Sequence, residues 1–80
     1  MSNILKYIFE FFKSFEKDHT FYIDGKRIEF CKVTNLYIIW DTVTEWGCLG
    51  KEEVNAVTIE GASLKITASD GKEYTFTCQD

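Results

Sequence analysis

The spacing of apolar side chains changes once along this chain, between residues 18 and 20, and the change divides it into a helical and an extended part. Before it, Ile4, Tyr7, Ile8, Phe11, Phe12 and Phe15 recur at intervals of three and four or side by side. At about 100° per residue they gather on one face of a helix. Lys6, Glu10, Lys13, Ser14 and Lys17 fill the opposite stripe. Residues 2–17 are therefore expected to form an amphipathic helix, capped by Ser2 or Asn3. Leu5 and Phe9 widen its apolar arc to roughly 200°, more than a helix at the edge of a small domain usually buries. Either a curved sheet wraps that arc, or part of it meets a second molecule.

After Asp18-His19-Thr20 the period is two. Phe21-Tyr22-Ile23 leads into Asp24-Gly25 and then Lys26 to Val33. Asp-Gly between such runs predicts a two-residue hairpin, because a type I′ turn needs positive φ at both central positions. Thr34-Asn35 reads as a turn. Leu36-Tyr37-Ile38-Ile39-Trp40 is a continuous apolar run, as expected of a central strand covered on both sides. Asp41 to Trp46 continues that strand or starts another, and residues 47–53, with Gly47 and Gly50, read as the longest loop. Val54, Val57 and Ile59 precede Glu60-Gly61. Leu64, Ile66 and Ala68 alternate with Lys65 and Thr67, and Tyr74, Phe76 and Cys78 alternate with Glu73, Thr75 and Thr77 across a second Asp-Gly, Asp70-Gly71. One face of this part is apolar and the other is Thr, Lys and Glu, the pattern of an antiparallel meander.

The expected fold class is α+β, with the helix packed on a curved antiparallel sheet of five or six strands over residues 21–78, or plugging an open barrel. Residues 1–80 read as one domain. A chain of 80 residues buries only about 60–65% of the surface its unfolded form exposes, so its core must be rich. It is: 45% of residues are apolar and 16% aromatic, with seven Phe, four Tyr and two Trp. The stretch from Val57 to Phe76 around Asp70-Gly71-Lys72 resembles the strand pairs of bacterial PH-like domains, over about a quarter of the chain. Those domains continue into a helix where this sequence reads Thr77-Cys78-Gln79-Asp80, and the resemblance carries over no function and no residue.

Charge narrows the partners. The net charge is −4, and residues 41–80 hold three Lys against eight acids: Asp41, Glu45, Glu52, Glu53, Glu60, Asp70, Glu73 and Asp80. Direct nucleic-acid binding needs clustered Lys and Arg, so it is not expected. A protein partner with a basic surface is. Cys31, Cys48 and Cys78 are odd in number and form no C-x-x-C pair. With His19 as the one histidine, neither a disulfide framework nor a metal site is expected, and three reduced thiols point to a cytoplasmic protein. Lys6, Glu10 and Lys13 interrupt the apolar run that a signal peptide requires.

No catalytic constellation is present. Ser2, Ser14, Ser63 and Ser69 stand in no G-x-S-x-G elbow. The five glycines are explicable as turns, and Glu52-Glu53 would point to opposite faces of a strand. No enzyme and no cofactor is expected. Asp41 to Glu53 stands out because Trp46 and Leu49 sit there in a Gly-flanked acidic stretch, and a Trp ringed by polar groups is a typical interface anchor. Glu45, Trp46, Leu49, Glu52 and Glu53 are the candidate binding residues. The expected function is that of a small acidic protein-binding module, an inhibitor or accessory protein that occupies a partner's surface. The phage or mobile-element setting that often goes with such chains rests on size and class alone. One alternative is a phage-type inhibitor that blocks a nucleic-acid-binding site by acidic mimicry. Another is a peripheral membrane module docked through the helix, with Lys6, Lys13 and Lys17 toward anionic headgroups. A homodimer through the helix or a sheet edge is a further option.

Overall fold

Helix α1 spans Ile4–Ser14, in a computed structural model that describes residues 4–15 and 20–79. The expected ends of the helix, residues 2–3 and 16–17, lie outside the described residues. Leu5, Ile8 and Phe11 are buried, and Ile4, Phe12 and Phe15 pack against the same core. The sheet thus uses the centre of the apolar arc. Its flanks, Tyr7 and Phe9, stay about half exposed.

Seven strands follow: β1 Thr20–Ile23, β2 Lys26–Val33, β3 Tyr37–Thr42, β4 Trp46–Gly50, β5 Val54–Glu60, β6 Ser63–Ala68 and β7 Glu73–Gln79. All pairings are antiparallel, in the order β4-β3-β2-β1-β7-β6-β5. The count is seven rather than five or six. The strands form two meanders, β1–β4 and β5–β7, joined by pairing of the first strand with the last. The additional strand is Trp46–Gly50, of which residues 47–50 read as loop because their two glycines mask the alternation.

The outermost strands, β4 and β5, are consecutive in sequence, joined by a single 3-10 turn over Lys51–Glu53. In a flat sheet six strand spacings of about 4.8 Å would separate them by roughly 29 Å. The short link between Gly50 and Val54 reaches at most about 14 Å. The sheet therefore curls, and α1 packs against β5 and β2 within the curve. It does not close into a barrel, since β4 and β5 are not paired.

The core lies between α1 and the concave face. Phe12 meets Phe76 edge-on at 5.5 Å, and Phe76 meets Trp40 edge-on at 5.4 Å. Leu64, Ile66, Ile38 and Leu49 complete it. Strand β3 is next to the edge rather than central, and it buries Ile38, Trp40 and Thr42 on one side. The expectation of full cover on both faces does not hold, for Tyr37 and Ile39 are only partly covered and Leu36 is exposed.

The turns follow local chemistry. Asp24 and Gly25 have φ of 48° and 85°, the two positive values of a type I′ turn. At Asp70-Gly71 only Gly71 is positive, at 92°, so the two Asp-Gly dipeptides make different turns. Asp24 also donates its N–H to Thr75 O at 2.8 Å and accepts from Thr75 N–H through Oδ1 at 3.1 Å, tying the first hairpin to the last strand.

Candidate functional site

The hairpin between β3 and β4 turns at Val43-Thr44-Glu45 without a glycine or an asparagine. Thr42 makes this possible: its hydroxyl donates to Glu45 O at 2.9 Å and accepts from Glu45 N–H at 3.1 Å. Its own N–H donates to Glu45 O at 2.7 Å. Across the tip, Glu45 Oε1 accepts a charged hydrogen bond from Lys26 Nζ at 2.8 Å, linking it to the β1–β2 hairpin. On this fixed platform Val43 is 80% and Trp46 70% exposed. Two large apolar side chains thus stand in water on a tip that hydrogen bonds hold in place, and Trp40 rather than Trp46 fills the core.

The other candidate residues do not join Trp46. Leu49 is buried at 4% exposure; it faces the core with Gly47, while Trp46 and Cys48 face outward. As a contact residue it is therefore corrected to a core residue. Glu52 and Glu53 lie beyond the far end of β4, about 13 Å or more from Trp46 at 3.3 Å per residue. Glu53 has a local role, accepting the Gly50 N–H through Oε1 at 3.0 Å. What the fold brings together is Val43, Glu45, Trp46 and Lys26.

Sequence patterning misses a second feature. Among the described residues, strands β1 and β2 pair only at Tyr22–Arg27 and Ile23–Lys26, after which β1 follows β7 and β2 follows β3. An open cleft of about 380 Å³ lies along β2 beneath α1, lined by Phe9, Phe12, Phe21, Ile28, Phe30 and Cys31. The register irregularity between Ile28 and Phe30 leaves Phe30 53% exposed. The length mismatch of the two hairpin arms was the one sign of it. Apart from Lys13 and Glu29 its wall holds no charged group, and ligand pockets need convergent polar groups to fix orientation.

The thiols differ in setting. Cys48 is exposed, Cys78 buried and Cys31 intermediate, and none of the three is in a disulfide. Burial pushes the Cys31 thiol from 9.0 up to about 12, so it stays protonated at neutral pH and lacks the thiolate that nucleophilic chemistry needs. His19 lies outside the described residues. Among the described residues no group of three or more His, Cys, Asp or Glu converges as a metal site would require. No described helix is long and apolar enough to cross a membrane. Comparison with protein-family models, curated proteins and solved structures finds no match.

Proposed function

We propose that this protein is a non-enzymatic protein-binding module, an inhibitor or accessory protein whose contact surface centres on Trp46. The observation that carries the reading is the 70% exposure of Trp46 on a hairpin tip already ordered by Thr42, Glu45 and Lys26. A pre-ordered tip loses little conformational entropy on binding, which favours its use as an anchor. Acidic mimicry of nucleic acid draws less support. Asp41, Glu45, Glu52, Glu53, Glu60, Asp70 and Glu73 are all exposed, but Glu45 is paired with Lys26, Glu73 with Lys65, and Glu53 caps Gly50. Membrane docking through α1 also draws less, since its apolar centre packs on the sheet.

The test is affinity capture from the native host lysate with wild-type and Trp46→Ala proteins, read by quantitative mass spectrometry. Trp46→Ala is expected to keep the wild-type melting temperature and lose the specifically captured protein. Trp40→Ala, by contrast, removes a buried ring and is expected to cost about 3–5 kcal/mol of stability. Undiminished capture by Trp46→Ala would sink the reading.

A further inference from the structure

We propose that the groove between α1 and β2 binds the alkyl chain of a free fatty acid of medium length, with its carboxylate at Lys6. The site is separate from the Trp46 tip and goes beyond the protein-binding reading. The cleft along β2 lacks the convergent polar group that would orient a ligand, but the space continues past it. A second hollow of about 390 Å³ adjoins it, lined by Leu5, Lys6, Phe9, Val33, Thr34 and Asn35. Phe9 and Val33 line both. On α1 the linings run from Leu5 to Lys13, and on the facing strand they run back from Asn35 to Ile28. The helix and the strand therefore point in opposite directions, and the two hollows lie end to end as one groove. From Leu5 to Lys13 is about 12 Å at 1.5 Å per residue. That is about the reach of a ten-carbon chain with C–C bonds of about 1.5 Å.

Phe9 stands where the two hollows meet. It is 47% exposed, on the flank of the helix face that the sheet leaves uncovered. Lys13 Nζ lies 5.9 Å from the centroid of its ring, a cation–π contact that holds the ring in place. An alkyl chain in the groove takes the inner side of that ring out of water, as it does for Val33. The head end is fixed in advance. The Thr34 hydroxyl accepts the N–H groups of Leu36 and Tyr37, each at 3.1 Å, and donates to Tyr37 O at 3.3 Å. A site already ordered costs little entropy to fill.

Charge decides the ligand and its direction. Lys6 is the one charged group on the second hollow, and it takes no ion pair or hydrogen bond among the described residues. Glu10, one turn further along α1, lines neither hollow. At the other end Lys13 shares the wall with Glu29, which repels a carboxylate. The head therefore goes to Lys6, and the tail runs past Phe9 toward Phe12 and Ile28. One cation suits a single negative charge rather than the several of a nucleotide. An alkyl tail brings no polar group that needs a partner against these walls. One groove holds one chain, so a free fatty acid fits and a two-chain membrane lipid does not.

Titration calorimetry of the full chain with decanoate, below its micelle concentration, is expected to show saturable one-to-one binding. Amide resonances of Lys6, Phe9, Val33 and Asn35 should move, and that of Trp46 should stay. Lys6→Glu should weaken binding by about tenfold or more. Its melting temperature should stay near wild type, because Lys6 is exposed. Lys13→Glu should weaken binding less than Lys6→Glu does. Decyltrimethylammonium, with the same tail and the opposite charge, should bind about tenfold more weakly than decanoate, or worse. Vesicles of phosphatidylglycerol should leave the protein in the supernatant on co-sedimentation. Equal affinity for the two amphiphiles, or a Lys6→Glu variant that binds decanoate like wild type, would overturn the proposal. A larger loss in Lys13→Glu than in Lys6→Glu would overturn the placement of the head. Sedimentation with the vesicles would assign α1 to a membrane surface and overturn the fatty-acid site.

Discussion

At Gly47 the β4 backbone lies directly on the indole of Trp40, and a β-carbon there would run into Cζ2 and Cε2. Gly47→Ala is expected to cost about 1–3 kcal/mol, as overpacking does, seen as a lower melting temperature with the far-ultraviolet spectrum retained. This contact also explains what the sequence hid. In WGCLG the glycines show neither polar nor apolar character, so nothing marked Leu49 as core and Trp46 as surface. Trp40, inside a plain apolar run, was legible as core at once. Cys31 gives a second prediction. Its folded-state pKa of about 12 lies above the ordinary 9.0, so the folded chain holds a proton that the unfolded chain begins to release above pH 9. Its contribution is therefore constant below pH 9 and lost as pH rises toward 12, with a slope of at most about 1.4 kcal/mol per pH unit. Denaturant titrations above pH 9 should show stability falling more steeply in wild type than in Cys31→Ala. Equal slopes would mean that the thiol is not held in its neutral form.

Among the elements, α1 has the most to lose by removal. Leu5, Ile8 and Phe11 are buried, and three such side chains contribute about 1.5–3 kcal/mol each, comparable with the whole stability of a small domain. A chain starting at Asp18 should lose its cooperative thermal transition; an unchanged midpoint would show the helix to be an appendage. The helix, the Asp24-Gly25 hairpin and β6–β7 were legible because each repeats a clear period or carries a specific turn pair. The β3–β4 hairpin was not, because a threonine side chain closes it rather than a glycine. The β1–β7 pairing was not legible either. It joins the two ends of the extended part through Thr20–Gln79 to Ile23–Phe76, and hydrophobic alternation is the same whichever strand lies alongside. The cleft along β2 follows from that pairing, since β1 leaves β2 to follow β7.

For the molecule as a whole, the curled sheet puts the core on its concave side and leaves the carboxylates outside, where a net charge of −4 acts as a field rather than through single contacts. Thiol titration in denaturant without reductant should return three free thiols per chain, since none of Cys31, Cys48 and Cys78 is bridged. One thiol instead of three would mean that a disulfide holds the fold. The same field bears on binding to a basic partner. Trp46 and Glu52–Glu53 stand at opposite ends of β4, so they should affect separate steps of association. Exposed charges act over a screening length of about 8–10 Å at physiological ionic strength and chiefly raise the rate of encounter. Changing Glu45, Glu52 and Glu53 together to Gln should lower the association rate and flatten its salt dependence. The melt should move little, because exposed ion pairs such as Lys26–Glu45 contribute little to folding. The amide oxygen that replaces the Glu53 carboxylate still accepts the Gly50 N–H. Trp46→Ala should leave the association rate near wild type and speed dissociation, costing about 2 kcal/mol or more of binding if the ring is a buried anchor. Surface plasmon resonance at three salt concentrations separates the two effects. If the triple variant associates as fast as wild type at low salt, the acidic half serves solubility alone. If Trp46→Ala changes only the association rate, the tip guides the partner without being buried beneath it.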